Sequence, residues 1–136
     1  MEERLRLTLD RGYLLLELNR FEEAWSSARD ALDQAIGGEL WLRAVEACDI
    51  MFQADQPESI HALAHGIWLG VTFPIDPEIS IHLLSHVVDD TPDDADGAAV
   101  AAATALFLAD MRAEEGPEKE RLVFFSNQLL GNVARR

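Results

Sequence analysis

The chain is poor in cysteine: Cys48 is the only one in 136 residues, which excludes an intrachain disulfide bond. A lone thiol is typical of a reducing compartment, and we expect Cys48 to be buried and unreactive. Long apolar runs are also lacking, since no stretch reaches the length that spans a bilayer. The charged start MEERLRLTLD differs from a secretory leader. These absences favour a cytoplasmic protein without direct membrane binding.

Positive charge is missing from the middle of the chain, because no Lys or Arg occurs between Arg43 and Arg112. The same stretch contains twelve carboxylates and contributes most of the net charge of −14. A field of this sign repels phosphate backbones and anionic lipids, so nucleic acid is excluded as a partner. A basic partner protein or a cation is favoured. The alternative is an acidic surface that serves only solubility.

Apolar residues recur at three- and four-residue spacing throughout, which predicts an all-α fold of about seven helices. The length suits a single domain over residues 1–136. Gly37-Gly38 predicts a helix end, and Asp76 a helix N-cap. Four prolines, each followed by an acid, predict helix starts: Pro57, Pro77, Pro92 and Pro117. The predicted helices cover residues 2–18, 21–35, 39–53, 57–69, 77–89, 92–114 and 117–134.

The sixth predicted helix, GAAVAAATALFLADM, is rich in alanine, whose small side chain lets neighbouring helices approach closely. We therefore expect it to be the central helix of the fold. Its far end would be anchored by four bulky residues: Leu106, Phe107, Leu108 and Met111. The last helix is expected to cap the fold, and any of its apolar side chains left uncovered would form a binding patch. A homodimer through this helix is also compatible with the sequence.

Residues 12–32, GYLLLELNRFEEAWSSARDAL, combine small, bulky and aromatic positions at fixed spacing. The positions are Gly12, Leu15, Leu16, Phe21, Ala24, Ala31 and Leu32. This pattern resembles a tetratricopeptide repeat, clearly over about residues 5–35 and in degenerate form over about 39–70. In the second unit Gly12, Ala24 and Ala31 map to Ala47, Ser59 and Gly66, whereas Phe21 maps to Gln56.

The resemblance implies antiparallel helical hairpins in a right-handed stack, with three further helices over residues 71–136. Generic hairpin packing in a related helical bundle is the alternative. The resemblance also implies a non-enzymatic adaptor or chaperone-like scaffold that binds a peptide, a helix or a basic partner surface. No catalytic signature argues for an enzyme. The expected groove residues lie on the first helix of each pair: Tyr13, Glu17, Arg43, Glu46 and Asp49.

The segment DDTPDDADG contains five of the acids. An EF-hand loop is excluded, because Pro92 and Ala103 would occupy its first and last ligand positions. Asp93, Asp94 and Asp96 suit the first turn of the sixth helix, with Thr91 as N-cap. Asp89 and Asp90 lie at the C-terminal end of the fifth helix, where the helix dipole disfavours acids. We therefore expect Asp89 and Asp90 to contact a partner.

The four histidines form two pairs at i, i+4 spacing: His61 with His65, and His82 with His86. An antiparallel hairpin folded near residue 74 would bring the two pairs level, with Glu58 one turn before His61. Imidazoles and carboxylates on facing helices bind Zn, Fe or Mn, so a helical metal- or cofactor-binding protein is the alternative function. A second Glu-x-x-His is missing for a di-iron site. Solvated pairs, hydrogen-bonded core histidines and a pH sensor are the other interpretations.

Overall fold

A computed structural model describes residues 1–90 and 97–135 of the chain. The described residues form seven helices and no strand, which confirms the predicted all-α class. The helices are α1 (Glu2–Glu17), α2 (Phe21–Gly37), α3 (Trp41–Gln53), α4 (Ser59–Thr72), α5 (Pro77–Asp90), α6 (Gly97–Arg112) and α7 (Pro117–Ala134). The right-handed tetratricopeptide-like stack stays a prediction.

The predicted helix starts agree with the structure at two of the prolines and disagree at Pro57. α5 and α7 begin at Pro77 and Pro117, and an Asp76 side-chain oxygen accepts the Glu78 N–H at 2.9 Å. α4 begins at Ser59 and not at Pro57, because a turn closed by the Ser59 N–H and the Gln56 carbonyl precedes it. The predicted start of the sixth helix lies outside the described residues. So do the predicted roles of Thr91, Pro92, Asp93, Asp94 and Asp96.

The chain divides into two compact units, Met1–Ile75 and Asp76–Arg136. In the first unit each helix packs against the next one along the chain, and α1 also packs against α3. In the second unit α6 packs against α5 and α7, and α5 contacts α7. The single domain over residues 1–136 stays a prediction.

Two helix ends of the first unit share one turn geometry. Asn19 and Glu39 adopt positive φ after α1 and α2, at 59° and 57°. After each of them, the next N–H reaches back to a carbonyl five residues earlier, Arg20 to Leu15 and Leu40 to Ala35. This is the Schellman arrangement, which satisfies the last carbonyls of a helix. The prediction that Gly37-Gly38 ends a helix is confirmed, but Glu39 takes the left-handed conformation that glycine favours.

Small side chains form the helix contacts of the first unit. Ala24, Ala28, Ala31 and Ala35 line one face of α2, and all four are at most 1% exposed. Gly12 on α1 meets Ile50 on α3, where an added Cβ would lie 3.0 Å from the Ile50 Cδ1 atom. The missing side chain at Gly12 therefore sets how closely α1 approaches α3.

Aromatic rings join the two ends of the first unit's last hairpin. The Trp41 ring at the start of α3 stacks on Phe73, with centroids 3.8 Å apart and planes 7° from parallel. Trp68 meets Phe73 edge-on at 6.2 Å. Phe73 has extended backbone directly after α4, so this stack fixes where the chain leaves the helix.

In the second unit, α6 is buried through four of its alanines, as predicted. The prediction that its large residues anchor the helix is wrong for two of them. Ala98, Ala102, Ala105 and Ala109 are fully buried. Phe107 and Met111, which were expected to anchor the helix, are 59% and 65% exposed. The helical period explains the difference, because the buried alanines occupy one face and these two residues the opposite one.

Three of the four buried serines among the described residues differ in their hydrogen bonding. The Ser59 hydroxyl donates to the Met51 carbonyl and accepts the Gln56 N–H, both at 2.8 Å. The hydroxyls of Ser80 and Ser126 are buried without a hydrogen-bond partner. A buried polar group without a partner loses its hydration and gains nothing in return.

Substitution of Ser59 and Ser126 by alanine is therefore expected to have opposite effects. Ser59→Ala leaves a buried carbonyl and an N–H without their partner and should destabilise the protein by about 1–3 kcal/mol. Ser126→Ala removes an unpaired hydroxyl and should leave the free energy of unfolding unchanged or raise it by up to about 1 kcal/mol. Urea unfolding followed by circular dichroism measures both. Equal losses in the two variants would contradict the hydrogen-bond assignment.

A double-mutant cycle tests the contact between Gly12 and Ile50. The higher helix propensity of alanine should stabilise Gly12→Ala by about 1 kcal/mol. The close approach of the new Cβ atom to the Ile50 Cδ1 atom opposes this gain. Ile50→Val removes Cδ1, so Gly12→Ala should be about 1 kcal/mol more favourable in that background than in the natural chain. Free energies of unfolding of the four proteins give this coupling. Additive effects, within about 0.3 kcal/mol, would show that the two side chains do not oppose each other.

Candidate functional site

The packing of α1 against α3 brings together most of the residues expected to line a groove. The Tyr13 hydroxyl on α1 donates a hydrogen bond to an Asp49 carboxylate oxygen on α3 at 2.7 Å. The other Asp49 oxygen accepts the Gln53 side-chain amide at 2.9 Å. We use the name α1–α3 face for the surface formed by Asp10, Tyr13, Arg43, Glu46, Asp49 and Gln53. Its centre is a carboxylate held by two neutral donors.

The Arg43 side chain adds little free positive charge to the α1–α3 face. Its guanidinium lies 2.6 Å from a Glu46 oxygen and 3.6 Å from a Glu2 oxygen, and its side chain is 18% exposed. The two acids compensate the one cation. Asp10 lies 3.5 Å from the Arg6 guanidinium, so the charge of Asp49, which is held by two neutral donors, dominates the rest of the face.

The pKa of Tyr13 reports the electrostatic character of this face. Burial raises the pKa well above the ordinary value, and the Asp49 charge and its hydrogen bond raise it further. Glu46 and Asp10 act in the same direction. Three carboxylates thus act on one hydroxyl, which stays protonated and donates to Asp49. The same potential attracts a cation.

The remaining predicted partner residues lie elsewhere. Glu17 is exposed on α1, one turn beyond Tyr13. Asp89 and Asp90 are the exposed last residues of α5 and belong to the second unit. Sequence reasoning did not identify Asp10 and Gln53 as members of the face. The signal was available in the spacing, since Asp10 precedes Tyr13 by three residues and Gln53 follows Asp49 by four.

The structure places the histidines on two helices of different units. His61 and His65 lie on α4, where the His65 ring is 6.5 Å from Trp68. His82 and His86 lie on α5, where the His82 ring is 6.0 Å from Phe125. Sequence reasoning missed both aromatic neighbours. Phe125 is 43 residues from His82 and could not be inferred, whereas Trp68 follows His65 by three residues, a spacing that places both on one helix face. Glu58 is exposed and directly precedes α4. Binding of Zn, Fe or Mn by the four histidines and Glu58 stays a prediction.

One acidic group with ligand-like spacing occurs among residues 1–90 and 97–135. Oxygen atoms of Asp76, Glu78 and Glu118 lie within 4.8 Å of one another. Glu78 already accepts a hydrogen bond from Arg121 at 3.1 Å, so this group is partly compensated by a protein cation. The group contains no histidine and differs from the predicted metal site.

Two further expectations concern Cys48 and the membrane. Cys48 is fully buried, as expected, and burial raises the pKa of its thiol to about 12, with a smaller contribution from Asp49. The thiol is therefore protonated at neutral pH, which disfavours nucleophilic chemistry. Within the described ranges, no helix combines the length and the apolar character needed to cross a membrane.

The titration of Tyr13 tests the α1–α3 face directly, because it is the only tyrosine in the chain. We expect the phenolate absorbance of the folded protein to appear above the ordinary pKa of about 10. Asp49→Asn should lower the pKa of Tyr13, while burial still keeps it above the ordinary value. Because the folded state binds this proton more tightly, the Tyr13 contribution to stability is complete below about pH 10 and declines above it.

Tyr13→Phe provides the control, since it removes both the absorbance change and this part of the pH dependence. A phenolate midpoint near pH 10, with native circular dichroism retained, would contradict the buried and acidic environment of Tyr13.

Comparison with known proteins identified no relative of this chain. No family model matches the chain, and neither the curated proteins nor the solved structures include a significant match. The tetratricopeptide resemblance therefore depends on the quoted residues alone.

Proposed function

We propose that the protein is a non-enzymatic interaction module, of the adaptor or chaperone-like kind, that binds a basic segment of a partner protein on its α1–α3 face. The observation that carries this proposal is the Tyr13–Asp49 hydrogen bond of 2.7 Å within a group of three carboxylates. The segment is a peptide or helix that presents Lys or Arg. The cytoplasm is the proposed location.

The arrangement of Asp49 suits the recognition of a cation. Tyr13 and Gln53 donate to its two oxygens but carry no charge, so the negative charge is oriented and not neutralised. An arginine or lysine of a partner forms a stronger, charge-assisted hydrogen bond with such a carboxylate. Because the side chain is already held, binding does not have to pay the entropy of ordering it.

The position of the face on two neighbouring helices also supports a peptide ligand. α1 and α3 are the first helices of the two predicted hairpins, and they pack against each other. In the family that the sequence resembles, first helices line the ligand groove. A partner segment along both helices would meet Tyr13 and Asp49 together, and Glu17 one turn farther along α1.

Peptide phage display offers a test that does not require the natural partner. A random peptide library is selected on the wild-type chain, and the enriched peptides are measured by fluorescence anisotropy. We expect enrichment of Lys and Arg, and affinity that falls as salt rises. The variant Glu46→Gln/Asp49→Asn should bind the same peptides roughly tenfold more weakly.

The matched control removes two carboxylates from α2, where Glu22 and Asp30 are exposed. Glu22→Gln/Asp30→Asn changes the net charge by the same amount, so it should leave the affinity nearly unchanged. Equal weakening in both double variants would show that net charge alone attracts the peptides. Enriched peptides without basic residues would reject the proposed ligand chemistry.

A further inference from the structure

α1 carries an exposed basic and apolar stripe on the side away from its buried residues. Leu7, Leu14 and Leu18 are 56%, 58% and 65% exposed, although leucine is usually buried. Arg4 and Arg11 are exposed on the same side at helical spacing. We call these five residues the α1 stripe. None of the five carries a carboxylate, and the neighbouring Asp10, between Leu7 and Leu14, is paired with Arg6 at 3.5 Å.

The second unit has an apolar groove between α6 and α7. It is lined by Ala103, Leu106, Phe107, Asp110, Val123 and Leu130. Val100 and Met111 continue the exposed side of α6 at 65% exposure each, so this helix presents Val100, Phe107 and Met111 at i, i+7 and i+11. We call the lining residues together with Val100 and Met111 the α6–α7 groove.

The charge of the α6–α7 groove is negative. Among the described residues that line it, Asp110 is the only ionisable one. The nearby Lys119 ammonium donates to Glu115 at 2.8 Å, and Arg121 pairs with Glu78 at 3.1 Å. Both cations donate to other carboxylates, and Lys119 interacts with Asp110 only through its more distant charge. An occupant with an arginine beside apolar side chains would complement Asp110.

We propose that the α1 stripe of one copy of the chain binds in the α6–α7 groove of a second copy. The exposed leucines of α1 have the same i, i+7, i+11 spacing as Val100, Phe107 and Met111. The stripe supplies the arginines that the groove lacks, although Arg11 also borders Glu22 and Glu23 on α2. One contact would cover the exposed apolar side chains of both surfaces.

This contact differs from the proposed function and from a symmetric dimer. It uses a side of α1 other than the one that carries Tyr13, so the α1–α3 face is left for its ligand. Two different surfaces meet, which makes the association head-to-tail: one copy of a pair keeps its free groove and the other keeps its free stripe. Two copies that met groove to groove would instead bring two Asp110 carboxylates together.

Sedimentation velocity of the full chain from about 1 µM to about 1 mM gives the first test. We expect the weight-average mass to rise with concentration beyond that of a dimer. Leu14→Asp blocks the stripe and Phe107→Asp blocks the groove, and each variant alone should be monomeric. Both residues are more than half exposed, so circular dichroism should show native folding.

A mixture of the two variants distinguishes the contact between stripe and groove from any other mode of association. The Leu14→Asp protein retains its groove and the Phe107→Asp protein its stripe, so the mixture should form a one-to-one complex that grows no further. The proposal is overturned if the wild type remains monomeric throughout, which would assign the groove to another protein. It is also overturned if either variant still self-associates, which would indicate a symmetric contact.

A pair of charge substitutions tests the role of Asp110. Asp110→Lys and Asp33→Lys change the net charge equally, and both sites are exposed. Each substitution reduces the net negative charge of the chain. If only general repulsion between copies limited association, both variants would therefore associate more strongly. We expect Asp110→Lys to weaken association roughly tenfold and Asp33→Lys to leave it equal or stronger. Stronger association of Asp110→Lys would overturn the proposed contact.

Discussion

The close approach of helices across small side chains is the constraint on which the rest of the first unit depends. Gly12 leaves room for Ile50, and the alanines of α2 leave room for its neighbours. Only at this separation does the Tyr13 hydroxyl on α1 reach the Asp49 carboxylate on α3. The polar contact that we assign to ligand recognition is therefore a consequence of apolar packing several ångströms away.

The second unit uses small side chains in the same way, with a different result at its surface. Because the alanine face of α6 is buried, Val100, Phe107 and Met111 on the opposite face are directed to solvent. Exposure of the apolar side chains of Phe107 and Met111 to water is unfavourable in free energy. Binding of a partner that covers them is therefore favoured. The acidic Asp110 then determines which partner chemistry is compatible with the surface.

The sequence allowed the prediction of features that depend on a few neighbouring residues. The starts of α5 and α7 followed from Pro77 and Pro117, since proline and the acid beside it act within one turn. The pairing of Tyr13 with Asp49 was not predictable, because it requires the register of two helices whose residues are 36 positions apart. The orientation of α6 was also hidden, because alanine, phenylalanine and methionine are all apolar and give no polar contrast between its faces. The conformation of Glu39 was not predictable either: Gly37-Gly38 marks the helix end, and only the backbone shows that the next residue, Glu39, adopts positive φ.

The order of helix contacts in the first unit also bears on how the chain reaches its fold. α1 meets α2, α2 meets α3 and α3 meets α4, so most of the contacts join segments separated by one short turn. Closing a short loop loses little chain entropy, and topologies dominated by local contacts fold rapidly. A newly made chain can thus assemble these helices one after another during synthesis, before its last residues have been added.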